Sequence, residues 1–305
     1  MRIGLGVLVA LTIGCAGGNQ YITKADLTED TGELDTGDTG ELDTDTEETD
    51  TEETDTEETD TEETDTEDPE LCKNDYHPIH TTGWSKTYTA TYDGGNGTAT
   101  ETGIGASSYQ GRDVYAYQDY MLVSYTNQLG FTEEKGWNNT MYISCDPDQG
   151  MYLMGWDGVS LNAGFDLSTF QNYDIPIQAN FGSGHMYLPY EFAIGGIGSW
   201  TNAYTFTKTE IDPNNGSSNS SATITSTHNE VGFIPHQLLD GTQVEAYKTV
   251  YEMTIDNGLG GSDSNYVEQY WVKGLGMVQE DFLNAQGAVL LSKKLSSYSG
   301  LSIIE

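Results

Sequence analysis

Beyond residue 71 the chain carries runs in which apolar and polar residues alternate. In KTYTATY, Tyr88, Ala90 and Tyr92 share one face and Thr87, Thr89 and Thr91 the other. AYTFTKTEI alternates from Ala203 to Ile211, and SATITST does so around Ile224. In TQVEAYKTVYEMTI, Val244, Ala246, Lys248 and Val250 fall on one side, and Tyr247, Thr249, Tyr251, Met253 and Ile255 on the other. A period of two, carried by tyrosine, threonine and valine, predicts β-strands. Turn-forming clusters separate them: DGGNG at 93–97, DPNNGSSNSS at 212–221 and DNGLGGSDSN at 256–265. No long amphipathic helix emerges; DLSTFQ at 166–171 is the one stretch expected to form a short helix. The pattern predicts an all-β, antiparallel domain rich in hairpins.

The N-terminal part reads differently. Arg2 precedes an apolar run from Ile3 to Ile13, too short for a membrane-spanning helix of about 20 residues but of the length of a signal-peptide core. Leu11-Thr12-Ile13-Gly14 leads to Cys15. This resembles the lipobox of bacterial lipoproteins, in which a small residue directly precedes the modified cysteine; Thr12 stands where leucine is usual. The resemblance implies cleavage after Gly14 and diacylation of Cys15, and two or three acyl chains hold a membrane far better than one. Ala16 follows the cysteine instead of aspartate, which in Gram-negative lipoproteins implies delivery to the outer membrane, on its periplasmic side or at the cell surface.

Charge changes the picture of what lies between. The chain of 305 residues has a formal net charge of −38, and residues 26–70 hold 24 of its 49 acidic residues with no lysine or arginine. Residues 44–68 repeat Thr-Asp-Thr-Glu-Glu with no apolar residue. A helix there would set like charges at i,i+3 and i,i+4, and a strand would have nothing to bury. With no apolar surface to offset chain entropy, the segment is expected to be disordered and extended by self-repulsion. The roughly 55 residues between Cys15 and Leu71 span on the order of 180 Å at full stretch. The organisation expected is therefore a signal peptide (1–14), a lipid-anchored acidic stalk (15–70) and a β-rich domain (71–305). The net negative charge disfavours nucleic acid as a partner. With Cys15 lipidated, Cys72 and Cys145 remain, and an oxidising compartment favours a disulfide between them. It would close a loop of about 73 residues, worth roughly 4 kcal/mol in the chain-entropy account.

The most distinctive local sequence is YVEQYWVKGLGMVQEDF, Tyr266 to Phe282. Gly274 and Gly276, two apart within strand patterning, predict a bulge or a sharp bend. NAQG at 284–287 then turns into AVLLSKKLSSY. The order resembles that of uncharacterised bacterial lipoprotein domains in which an aromatic strand leads into G-x-G-x-V and a last hairpin. The likeness covers roughly 180–300, with echoes at 151–158 and 198–200. It implies a curved antiparallel sheet, wrapped as a half-barrel like that of LolA-type carriers, and it implies no catalytic residue.

Residues with chemical capacity are few and scattered. His77 and His80 flank Pro78 near Asp75, which excludes the one-face helical pair of a zinc protease. Ser183 and His185 lie close in GSGH, without a nucleophile-elbow motif. Asp146, Asp148, Asp212, Asn214 and Asn215 are a weak candidate set for calcium, since such clusters are more often plain turns. Glu133-Glu134 and Glu280-Asp281 are adjacent carboxylates that strand geometry sends to opposite faces. No catalytic residue, metal or other cofactor is assigned. The expectation is a non-enzymatic outer-membrane lipoprotein that binds an apolar or lipid-like ligand or serves a structural role. A surface hydrolase and a glycan-binding or adhesion module are the alternatives.

Overall fold

The structure is a computed structural model that describes residues 74–304, apart from 93, 127–129, 147–148, 167, 170, 190–191, 194–197 and 257–261. The signal peptide, Cys15, the acidic stalk, Cys72 and Asp148 lie outside the described residues. The described part is all-β. Its strands are β1 (Ser85–Tyr92), β2 (Gly95–Tyr109), β3 (Arg112–Thr126), β4 (Thr132–Asp146), β5 (Gly150–Asp166) and β6 (Gln171–Pro189). They continue with β7 (Ser199–Asp212), β8 (Gly216–Gln237), β9 (Gln243–Asp256), β10 (Ser262–Val272), β11 (Gly276–Leu283) and β12 (Val289–Ser299).

Each strand pairs antiparallel with its neighbours in sequence, and β1 pairs with β12, so the sheet closes into a barrel. Closure removes the free edges that an open half-barrel would leave exposed, and it goes one step beyond the curved sheet expected. The alternation reads through. Lys86, Tyr88 and Ala90 of β1 are buried, as are Tyr204 and Phe206 of β7 and Tyr247, Thr249, Tyr251, Met253 and Ile255 of β9. Twelve strands enclose a wider lumen than the eight that ordinary side chains fill. Here large rings fill it: Trp84, Trp137, Trp156, Trp271, Phe181, Phe192 and Phe282 are almost fully buried.

Several local expectations shift. Strands run further into the turn clusters than composition suggests, and β7 and β8 meet with only residues 213–215 between them. Asp212 Oδ1 accepts from the Asn214 and Asn215 amides there, and Thr209 donates to Asn219 across the pair. The segment at 166–171 forms no helix among its described residues; β5 runs to Asp166 and Ser168 caps it by donating to the Asp166 carboxylate. Gly274 lies in the turn joining β10 and β11 and Gly276 opens β11, both at positive φ (82° and 81°).

Residues 74–84 cross one mouth of the barrel. Tyr76 packs on Phe192 and Tyr247, His77 on Tyr117 and Tyr187, and His80 on Tyr115. These contacts fall on β3, β6, β9 and the connection between β6 and β7, around the ring. Ile79 and Trp84 of this segment are buried. The β10–β11 turn is clasped at the same end, with the Gly274 amide donating to Asp75 O and the Ile304 amide to Lys273 O.

Candidate functional site

Strand register builds a polar belt inside the barrel. Lys86 stands opposite Glu101, Glu101 opposite Asp119, and Asp119 opposite Asn139, across β1 to β4. A second ladder sets Lys293 opposite Glu280, Glu280 opposite Gln269, and Gln269 opposite Thr249, across β12 to β9. All eight residues are buried. The two ladders meet at Glu101. Lys86 Nζ lies 2.6 Å from Glu101 Oε2, and Lys293 Nζ lies 3.6 Å from Glu101 Oε1. Lys293 also lies 3.9 Å from Asp119 and 3.6 Å from Glu280. Tyr88 donates to Glu101 at 2.8 Å, Trp137 to Asp119 at 2.7 Å and Gln269 to Glu280 at 2.8 Å.

Burial alone would raise the pKa of every carboxyl here. For Glu101 the Lys86 and Lys293 ammoniums outweigh burial and hold it at about 2. For Asp119 burial prevails, helped by the Glu101 charge, and its pKa is raised. Glu280 is raised by burial too, and the nearby carboxylates add to it. Burial pulls the Lys293 ammonium down, but Asp119, Glu280 and Glu101 outweigh it and its pKa is raised. Next to the belt lies a ring stack: His185 on Tyr204, and His228 between Trp200 and Tyr251. Burial lowers His185 to about 4, and burial with the neighbouring His185 lowers His228 well below its ordinary value. These imidazoles are neutral at pH 7.

Open clefts lie elsewhere. One of about 850 Å³ at the mouth that residues 74–84 cross is lined by Tyr76, Phe192, Phe233, Lys273 and Ile304, among others. Another of about 480 Å³ lies against Tyr109, Tyr142, Asp157, Gln178 and Asn180. There Tyr109 and Tyr142 stack at 4.3 Å, and the Tyr142 hydroxyl donates to Asp157. A smaller space of about 40 Å³ lies among the barrel's inward side chains, lined by Glu101, Asp119, His185, Glu280 and Lys293 among others.

The residues singled out in the sequence are not brought together. His77 is buried, whereas His80 is exposed. His185 faces the interior, whereas Ser183 is exposed, so they form no dyad. Asp212 receives Asn214 and Asn215 as donors within its own turn and Tyr173 from β6, and Asp146 caps Gln149. Among the described residues no group of three metal-ligating side chains is placed to hold an ion. Glu280 is buried, whereas Asp281 accepts from Ser292 and Gln279 on the other face. Cys145 sits half-buried at the end of β4, the same mouth that residues 74–84 cross. Sequence reasoning missed Lys86, Glu101, Asp119 and Lys293. The available signal was a charge at a core parity position.

Fold and site together define a closed antiparallel barrel with a charged interior. No family model and no curated protein matches the chain. Among solved structures, a Bacteroides fragilis protein assigned as exported, with a YmcC-like fold, aligns at 14% identity and a TM-score of 0.40, over 72% of this chain and 97% of its own. A Parabacteroides distasonis protein assigned as a lipoprotein aligns at 10% identity and a TM-score of 0.40, over 75% of this chain and 99% of its own.

Proposed function

We propose that the chain is an outer-membrane lipoprotein with a non-enzymatic binding or structural role, its barrel carried on the acidic stalk. The observation that carries this reading is the location of the reactive groups. Lys86, Lys293, Glu101, Asp119, Glu280, His185 and His228 are all less than a tenth exposed, inside a closed barrel. Catalysis needs such groups in a cleft that a substrate enters. A surface hydrolase would need a nucleophile and base in one of the open clefts, and neither Ser183 nor His185 supplies that pair.

Lipidation at Cys15 rests on the residues Leu11 to Cys15. A Cys72–Cys145 disulfide is supported by the place of Cys145 at the mouth that the chain crosses two residues after Cys72. Non-reducing and reducing gels of the purified domain test it; equal mobility and two free thiols would reject it.

Ligand binding is assigned to the mouth cleft, because the aromatic side chains of the lumen pack on one another. Its size of about 850 Å³ falls in the range of small-molecule sites, about 300–1,000 Å³. Phe192, Phe233 and Ile304 give it an apolar wall. Native mass spectrometry of protein extracted from membranes should show a co-purified apolar molecule, lost in Phe233→Asp. Retention in that variant would move the ligand off the cleft, and a bare wild-type chain would leave the structural role. A glycan-binding reading is favoured by one specific observation, the stacked Tyr109–Tyr142 pair beside Asp157, Gln178 and Asn180. A glycan array probed with wild type and Asp157→Ala tests it, and no wild-type binding would sink it.

A further inference from the structure

Two buried polar atoms, Asp119 Oδ1 and His185 Nε2, have no hydrogen-bond partner among the described residues. Both residues line the same space of about 40 Å³, to which ten of the twelve strands contribute a side chain. It therefore lies on the barrel axis. Lys293 lines it as well. The Lys293 ammonium stands 3.6, 3.9 and 3.6 Å from Glu101, Asp119 and Glu280. A direct ammonium–carboxylate hydrogen bond is about 2.7–2.9 Å long. At 3.6–3.9 Å these are ion pairs without close hydrogen bonds, which leaves the ammonium free to donate to a further acceptor on the side of this space.

We propose that this space is a binding site for internal water. Lys293 Nζ donates to the water, and the water donates to Asp119 Oδ1 and His185 Nε2. The chemistry of the lining selects the ligand. An anion would face three carboxylates around the ammonium, and a metal ion would face the ammonium itself. A neutral molecule with both donors and acceptors suits all sides. The volume is larger than the roughly 10–15 Å³ that one water requires and far below the roughly 300 Å³ at which small-molecule sites begin. Leaving either orphaned atom dry would carry the full desolvation penalty of a buried polar group.

The test is a high-resolution crystal structure of the folded chain, collected native and after a sodium bromide soak. The expected result is a density peak within hydrogen-bond reach of Lys293 Nζ, Asp119 Oδ1 and His185 Nε2, with no bromide anomalous signal. An empty cavity, with Lys293 drawn into direct contact with a carboxylate, would overturn the proposal. A bromide peak would overturn it as well, by making the site an anion site. In solution, water relaxation dispersion should count at least one long-lived internal water, and His185→Phe should lower that count. An unchanged count in a folded His185→Phe protein would remove His185 from the site. No long-lived water in the wild type would reject the site altogether.

Discussion

Lys86 and Glu101 meet with side-chain exposures of 3% and 7%, so neither charge has water to fall back on. A buried pair adds little net stability when compared with apolar residues, but removing one partner leaves an uncompensated charge. Lys86→Met should therefore lower the unfolding free energy by about 3–5 kcal/mol, read as a fall in the urea midpoint. Adding Glu101→Leu should restore part of that loss; a double variant no better than the single one would argue against pairing as the cause. The histidines set the pH response. His185 and His77 are held neutral by burial, with pKa values of about 4 and about 3 against an ordinary 6.5. A base with a depressed folded pKa contributes stability above its unfolded value, and that stability is lost as pH falls toward the folded one. Acidification from about pH 6.5 to 4 should therefore destabilise the barrel by at most about 1.4 kcal/mol per pH unit for each such histidine. Asp119 and Glu280, raised by burial, act in the opposite sense over their own window. The slope of urea-derived stability against pH should flatten in His185→Phe and steepen in Glu280→Gln; unchanged slopes would place these titrations elsewhere. Part of this was legible in advance. Lys86 shares parity with Tyr88 and Ala90, and Lys293 with Leu291 and Leu295, so the alternation already pointed these lysines inward. Their convergence was not legible, because it depends on the cross-strand register of five strands, and β1 meets β12 only through closure.

At the level of elements, the β10–β11 turn shows why a glycine pair is more than a sign of flexibility. A Cβ on Gly274 would come 2.0 Å from Ser302 O, and one on Gly276 would come 3.2 Å from Tyr76 O. The turn is thus wedged between the segment that crosses the mouth and the C-terminal tail. Gly287, in the β11–β12 turn, has a similar φ of 78° but nothing within 4 Å. Alanine at position 287 should cost about 1–2 kcal/mol for its left-handed backbone. Gly274→Ala should cost clearly more, with faster amide exchange at residues 301–304, because the clash adds to the strain. Equal costs would mean the tail does not press on the turn. The two glycines were read from sequence as a bulge or bend because both devices use positive φ; only the partner backbone, supplied by distant segments, decides between them. The expectation of a helix at 166–171 failed for a related reason. DLSTFQ has capping residues at its start, but Asp166 spends its carboxylate on a turn that the flanking strands β5 and β6 require. By contrast, the strands themselves were readable, since side chains facing a filled lumen must alternate with those facing out.

For the whole molecule, the question is how a barrel relates to the membrane that the N-terminal sequence points to. Membrane-spanning barrels turn apolar residues outward and polar ones inward. Here the order is reversed. Thr89, Thr201, Thr205, Thr207, Thr223 and Thr225 are exposed, while Tyr88, Tyr204, Phe206, Ala222 and Ile224 on the same strands are buried. The outer wall also carries ion pairs such as Lys248–Glu268 at 2.8 Å. Such a wall would lose its hydration in a hydrocarbon layer with no compensation, since its charged and hydroxyl groups have no partners there. On the reading proposed above, the barrel would therefore stay outside the bilayer and be attached through a lipid at Cys15, with the acidic repeat as a spacer. This makes one substitution decisive. Cys15→Ala should abolish incorporation of labelled fatty acid and shift the protein from the membrane fraction to the soluble fraction, with its strand signature in circular dichroism intact. Wild-type protein should stay in the membrane fraction through a high-salt wash, because its attachment is hydrophobic. A folded Cys15→Ala protein that remained membrane-bound and resisted alkaline extraction would mean that the barrel wall itself enters the bilayer, against its polarity. One released by salt alone would point to a charged partner in place of an acyl anchor.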